Sequence, residues 1–402
     1  MPCPNVKTWN YSLSVALSLL APFNVLASLG MDIYLPVVPA MPGILGTTPA
    51  VVQLTLSLYM IMLGLGQIVF GPLSDRIGRR PVLIGGGLIF AAASFLLAAA
   101  SSPVAFLALR LIQAAGASAA LVALFATVRD VYAGRPESVA VYSLLNAMLA
   151  FVPALGPIAG ALIADALGWR AIFVALGVPA VATLLVALRA WQETRPAGTR
   201  THGVSFLRIL RSFAFWTYTL GFSAAMGAFF VFFSTAPRVL IDRAGFSALG
   251  FSVAFATAAL VMIVTSRFTR RLVDRWGTAG SLARGMALLV VGAALLAAGQ
   301  LFAPPSFWSF GLPMWVIAVG IVLASSVTAN GALAEFGDRA GMAVALYFCI
   351  QSLIVGVIGT LAVVLLDGET AWPLAAYAAG MGALTLAALR HLQGRTTAAH
   401  AT

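Results

Sequence analysis

Charge is scarce in this 402-residue chain. Only 9% of its residues are Asp, Glu, Lys or Arg, against about a quarter in an ordinary soluble domain. Lysine occurs once, as Lys7. A phosphate-binding loop of the G-x-x-x-x-G-K-[ST] type needs an internal lysine, so ATP-driven work by this chain is excluded. The two cysteines, Cys3 and Cys349, are too few and too far apart for a disulfide framework or a thiolate metal site. Cys349 sits inside an apolar run and reads as a small buried hydrophobe. The three histidines, His202, His391 and His400, fall in a polar connection or the tail. No metal site and no cofactor are expected.

Apolar residues are abundant instead. They make up 61% of the chain, and the mean hydropathy is +1.01. Twelve apolar runs can be traced, at about 12–35, 50–71, 81–101, 103–127, 138–163, 169–190, 214–236, 247–266, 283–302, 307–330, 341–366 and 371–390. Each is long enough to cross roughly 30 Å of hydrocarbon as a helix. They do not alternate polar and apolar residues, as a β-barrel would. The first run is too long for a secretory signal and carries Asp32 near its end, so it reads as a retained span. The expected class is an all-α, multi-pass membrane protein with 12 transmembrane helices.

A polar stretch at 189–212, "RAWQETRPAGTRTHGVSFLRILRS", divides the runs six and six. The expected organisation is a six-helix bundle over 1–190, a cytoplasmic linker over 191–212 and a second bundle over 213–402. With both termini in the cytoplasm, only Arg170, Arg238 and Arg243 lie in outer loops and Arg110 lies within a span. The other 19 of 23 basic residues face inward, which obeys the positive-inside rule. The net charge of +11 is accounted for by that sidedness, and nucleic acid is not an expected partner.

"LSDRIG" at Leu73 recurs as "LVDRWG" at Leu272, in both cases after the second span of a half. Two pseudo-symmetric halves suit a transporter that rocks them around a central site. The first copy lies in "GPLSDRIGRRP", which puts one acid and three arginines between two apolar runs. Gly71 and Gly78 there permit close approach or positive φ. Asp75 can accept hydrogen bonds, and Arg76, Arg79 and Arg80 can bridge to acids or anionic headgroups. This stretch resembles the signature loop of the major facilitator superfamily, G-x-L-[SA]-D-[RK]-x-G-[RK]-[RK]. The resemblance implies a cytoplasmic latch formed by Gly71, Asp75, Arg76, Gly78, Arg79, Arg80 and Asp130. In it Asp75 is the latch acid, reaching the end of span 11, with Arg79 as its partner within the loop. Asp130, in "TVRDVY", would be the acid of span 4. "LRLIQAAGAS" is similar to the family's span-4 motif, with Arg110 as its intramembrane arginine. "VPALGPIAGALI" resembles the span-5 motif G-P-x-x-G of the drug:proton antiporter branch, carried by Gly156, Pro157 and Gly160.

Only Asp32 and Arg110 are ionisable and lie clearly within spans. A charge there costs a few kcal/mol and is seldom accidental. Counted along the helix axes, their depths differ by about 5 Å, so a direct or water-mediated pair is expected. Burial makes a carboxyl hold its proton more tightly, and a nearby arginine makes it let go. Asp32 is therefore the candidate proton carrier and Arg110 its modulator, the alternative being an ion pair that only holds the bundle. "GMDIYLP" resembles the drug-exporter pattern around that acid. Where related exporters often have a second acid two turns earlier, this chain has Asn24, which can hydrogen-bond a neutral solute but cannot titrate.

Tyr59 and the run "FFVFFS", including Phe230, can offer ring faces to a drug-sized ligand, and Gln351 and Asn330 a polar contact. With Asn24, Asp32 and Arg110, the residues Tyr59, Phe230 and Gln351 form the candidate substrate set. "MDIYLPVVPAMPGILGTTPA", "FATVRDVYAG", "FFVFFSTAPRVLI", "SVTANGALAEF" and "TAWP" resemble chloramphenicol and florfenicol exporters of Gram-negative bacteria. That resemblance implies proton-coupled efflux of a small hydrophobic drug by a monomer embedded in lipid. The alternatives are a carrier for another drug, bicyclomycin-like or broader, and a metabolite uptake carrier. An intramembrane enzyme would need paired aspartates, a Ser/His pair or a histidine cluster within spans, and a channel would not need a latch.

Overall fold

The structure is a computed structural model describing residue 9 and residues 11–132, 135, 137–195, 206–336 and 341–401. Cys3, Lys7, Arg200, His202 and Arg339, used above for charge and metal content, lie outside the described residues. So do the side chains of Arg395 and His400. Every regular element among the described residues is helical.

Among the described residues, ten helices are long and apolar enough to cross a membrane. Spans 1 to 4 are Leu13–Asp32, Pro49–Ile77, Arg79–Ala99 and Pro103–Tyr132. Span 5 is Glu137–Leu167, whose outer part, Phe151–Leu167, is a shorter apolar helix. Span 6 is Trp169–Ala190 and span 7 is Phe213–Pro237. Ala248–Phe302 bends at Gly277 into spans 8 and 9, residues 248–276 and 278–302. Span 10 is Leu312–Leu333, entered through a π-helical turn at Phe307–Gly311. Span 11 begins at Gly341–Ile354, loosens at Val355–Gly359 and ends at Thr360–Leu365. Span 12 is Trp372–Ala401. Counting both arms of the bent helix and adding span 5 brings the total to twelve.

Local chemistry fixes the helix ends. Thr48 caps span 2, with Pro49 in its first turn. Ser212 and Ser247 accept from backbone N–H groups three residues on, opening spans 7 and 8. Such caps satisfy donors that hydrocarbon would leave stranded. The polarity is the reverse of a soluble protein's. Leu88, Val104, Leu167 and Phe302 are exposed on the outside, whereas Asn24, Gln53, Ser94, Arg110 and Gln113 are buried. Lipid covers the first set; the second must find partners inside.

The chain forms two compact units, Met1–Thr201 and His202–Thr402. In the first, span 4 packs on spans 2 and 3, span 3 on span 6, and span 1 on spans 4, 5 and 6. The second repeats this scheme with spans 7, 10 and 12. The repeat extends to single atoms. Gly78 and Gly277, 199 residues apart, both have positive φ, 108° and 69°. A Cβ on Gly86 would lie 2.7 Å from the Gly116 carbonyl oxygen. One on Gly285, also 199 residues on, would lie 2.8 Å from that of Gly320. Spans 3 and 4, and likewise 9 and 10, therefore touch backbone to backbone through small residues.

Two expectations need correction. The segment Gly71–Pro81 is not a loop lying between two spans, because span 2 continues helically to Ile77 and only Gly78 breaks it. Gly71 is helical, and a Cβ there would meet nothing within 4 Å, so neither positive φ nor close approach explains it. Likewise spans 8 and 9 run past their apolar stretches until Gly277. An apolar run marks the hydrocarbon, while the helix projects beyond it.

The glycine contact is testable by thermal unfolding in detergent. Gly116→Ala places its Cβ 2.5 Å from the Phe90 amide nitrogen and is expected to cost about 1–3 kcal/mol. Gly85→Ala meets open space and should hold or slightly raise the midpoint. Equal midpoints for the two variants would contradict the backbone contact.

Candidate functional site

Span 4 carries Arg110 into the middle of the first unit, where it is fully buried. Its Nη1 donates to the Gly30 carbonyl at 2.7 Å and to Gln113 Oε1 at 2.6 Å. Gln113 Nε2 donates to Ser94 Oγ at 2.8 Å. The guanidinium carbon lies 4.6 Å from the Tyr59 ring centre and 5.3 Å from that of Tyr34. Two aromatic rings are thus close enough for cation–π attraction in a desolvated site. Tyr59 is itself fixed by donating to the Ala27 carbonyl at 2.7 Å. Nε and Nη2 of Arg110 are buried without a hydrogen-bond partner.

Asp32, the last residue of span 1, is buried at 5% exposure and accepts from Ser28 Oγ at 3.3 Å. A direct Asp32–Arg110 ion pair is not formed: among the described residues, none of the salt bridges within 4.0 Å involves either side chain. The reason is rotational. Gly30 turns its carbonyl to Arg110, and Asp32 is two residues further on, roughly 200° around the helix. Depth along the axis says nothing of that angle. Asp32 faces span 5 instead: a Cβ on Gly156 would lie 3.0 Å from Asp32 Cβ, and one on Gly160 would overlap the Ile33 carbonyl. The G-P-x-x-G stretch, with Pro157 buried between its glycines, is therefore the wall against which the Cβ of Asp32 packs. Asn24, two turns earlier, also meets span 5. Its Nδ2 donates to the Leu145 carbonyl at 3.0 Å, and its Oδ1 is buried without a partner.

Asp32, Arg110, Asn24, Tyr59, Gly156, Pro157 and Gly160 thus gather in the first unit. Phe230 and Gln351 belong to the second. Phe230 is 1% exposed, with its Cδ1 3.0 Å from where a Gly359 Cβ would be. Gln351 is buried and accepts from Ser352 Oγ at 3.4 Å. Asn330 is exposed. The face of Tyr59 expected for a ligand is taken by Arg110. Gln113 and Tyr34 were missed, although Gln113 stands three residues after Arg110 on the same helix face.

At one end of this unit, Arg79 opens span 3 at 3% exposure. Its Nη1 bonds Asp75 Oδ1 at 2.5 Å and Ser74 Oγ at 3.1 Å, and its Nε bonds Asp130 Oδ2 at 2.7 Å. One guanidinium therefore joins spans 2, 3 and 4. Asp130 enters this cluster through Arg79, with Arg129 at 3.6 Å on its other oxygen. Arg76 and Arg80 are exposed, and Arg80 Nη2 donates to the Leu188 carbonyl at 2.7 Å.

A family model described as Major Facilitator Superfamily matches residues 20–360. The chain belongs to the Major Facilitator Superfamily. A "Chloramphenicol resistance protein" of Pseudomonas aeruginosa is 50% identical over 382 residues, 94% of this chain and 91% of that one. A "Multidrug resistance protein MdtL" of Klebsiella pneumoniae is 29% identical over 78% of this chain and 79% of its own. Among solved structures, a D-xylose-proton symporter aligns with TM-score 0.76 at 15% identity over 93% of this chain and 97% of that one. The peptide transporter POT gives 0.78 at 13% identity over 95% and 94%. At such identities the structural likeness speaks to the major facilitator fold alone. This member of the superfamily is a multi-pass inner-membrane protein.

Burial decides how the residues of this cluster respond to substitution. Arg79→Ala leaves the Asp130 carboxylate, which is 6% exposed, with the Arg129 guanidinium at 3.6 Å as its remaining ion pair, and should cost about 3 kcal/mol. Asp75→Asn alters a carboxylate 41% exposed and should cost about 1 kcal/mol or less. Unfolding midpoints in detergent check this order, and equal losses would contradict it.

Proposed function

We propose that this transporter exports small, hydrophobic, uncharged drugs, phenicols such as chloramphenicol foremost, in exchange for protons. The observation carrying the proposal is Asp32: a buried carboxyl with one hydrogen-bond partner and, among the described residues, no salt bridge. A carboxyl locked to Arg110 would have no reason to exchange its proton. One held by Ser28 alone, against a glycine-lined helix, can take up or release a proton whenever that wall shifts. Spans 1 and 5 meet over Gly156 and Gly160, a small-residue surface on which helices can slide.

The half-identical chloramphenicol resistance relative supports the substrate class. Asn24, a neutral hydrogen-bonding group with an open acceptor, suits an uncharged amphiphile. Export follows if proton and drug favour opposite states, since each can shift the equilibrium only by its differential affinity. Arg110 then acts as a fixed positive charge that biases Asp32 without neutralising it. The protein makes and breaks no covalent bonds on this reading; its working partners are drug, proton and lipid, and it acts as a monomer. The multidrug-named relative favours a second reading in which the range extends beyond phenicols.

Asp32→Asn tests the proposal. Cells carrying the variant should have the same amount of protein in the membrane, accumulate labelled chloramphenicol as transporter-free cells do, and lose resistance at least about tenfold. Full resistance in these cells would refute the role of Asp32.

A further inference from the structure

The stretch leaving span 6 returns to the latch and is built into it. Glu193 Oε1 accepts from the Arg79 backbone N–H at 2.8 Å, and its Oε2 from the Arg80 backbone N–H at 3.1 Å. The same Oε1 also accepts from the backbone N–H groups of Thr194 at 3.1 Å and Arg195 at 2.9 Å. One carboxylate thus closes the first turn of span 3, where unpaired N–H groups and the helix dipole favour negative charge. The segment is tied on two further sides. The Arg195 guanidinium donates to the Arg76 carbonyl at the end of span 2. Thr194 Oγ1 lies 3.5 Å from Thr127 Oγ1, one turn before Asp130 in span 4.

Gly78 gains a second reason here. Its φ of 108° already disfavours a side chain. A Cβ at that position would also occupy the space of the Glu193 carboxylate, overlapping Oε2 and lying 2.8 Å from Cδ. The glycine of the signature loop is the socket for an acid 115 residues later in the chain.

We propose that Glu193 is a positioning residue for transport: its carboxylate clasps the start of span 3, fixing the backbone from which Arg79 reaches Asp75 and Asp130, and so sets the rate of switching. The proposal rests on the transport reading above. Glu193 touches neither drug nor proton carrier, so its removal changes turnover and leaves substrate affinity alone. In Glu193→Gln the amide nitrogen cannot accept. One oxygen of the clasp is lost, and a donor faces a backbone N–H. Glu193→Asp keeps the charge.

Two measurements on the full-length protein test this. The first is amide hydrogen exchange over the peptide containing Arg79 and Arg80, in purified wild type and Glu193→Gln. The second is drug uptake by proteoliposomes under a pH gradient, normalised to folded protein. Exchange at that peptide should be at least about fivefold faster in Glu193→Gln. Maximal rate should fall about fivefold with KM within twofold, and Glu193→Asp should recover at least half of the rate. In an Asp75→Asn background, Glu193→Gln should add little, because both act through Arg79. Unchanged exchange overturns the clasp. Faster exchange with wild-type rate, a change in KM alone, or full additivity with Asp75→Asn overturns the positioning role. A wild type that moves no drug refutes the transport reading instead, while the exchange result still judges the clasp.

Discussion

A cation and an acid buried in the same helix bundle ordinarily neutralise each other, and here they do not. Arg110 spends its bonds on the Gly30 carbonyl and Gln113 and lies close to two tyrosine rings. Asp32 looks the other way, onto the glycines of span 5. Two residues of helix separate the Gly30 carbonyl from Asp32, and that rotation keeps the charges apart. The rest of the first unit serves this separation. Tyr59 is pinned to span 1 through Ala27, Gln113 is steadied by Ser94, and Asn24 holds spans 1 and 5 together beneath the acid.

The guanidinium cluster at the bundle's end follows a different logic. Arg79 is as buried as its acids allow, and it does pair with them, joining three spans through one side chain. In the second unit Gly277 repeats the bend of Gly78, but Thr278 and Ala279 follow it where Arg79 and Arg80 follow Gly78. The duplication therefore preserved the backbone device in both halves and the guanidinium device in one. A paired charge suits a part that must hold and then release as a unit, and an unpaired carboxyl suits one that must change its proton.

The spans and the repeat were legible because hydrocarbon imposes length and apolarity on any helix within it. Asp32, Arg110 and the G-P-x-x-G glycines stood out for the same reason: a charge or a cluster of small residues is conspicuous among leucines. The partners were not legible. Depth can be counted from residue number, but the direction a side chain faces depends on rotation and packing, so Asp32 and Arg110 looked like a pair. Tyr59 and Phe230 are aromatic whether they line a cavity or fill a core, and here both are buried in their bundles. Glu193 lies in a polar stretch with no periodicity, where one acid resembles any other until the chain folds back on Gly78.

The central claim is that Asp32 couples proton movement to drug movement. Drug exchange across proteoliposomes carrying Asp32→Asn, at equal pH on both sides, tests this most directly, with net uptake driven by a pH gradient measured on the same vesicles. The account predicts that exchange of labelled for unlabelled chloramphenicol persists near the wild-type rate while uphill accumulation is lost. Loss of both activities, or survival of both, would contradict it.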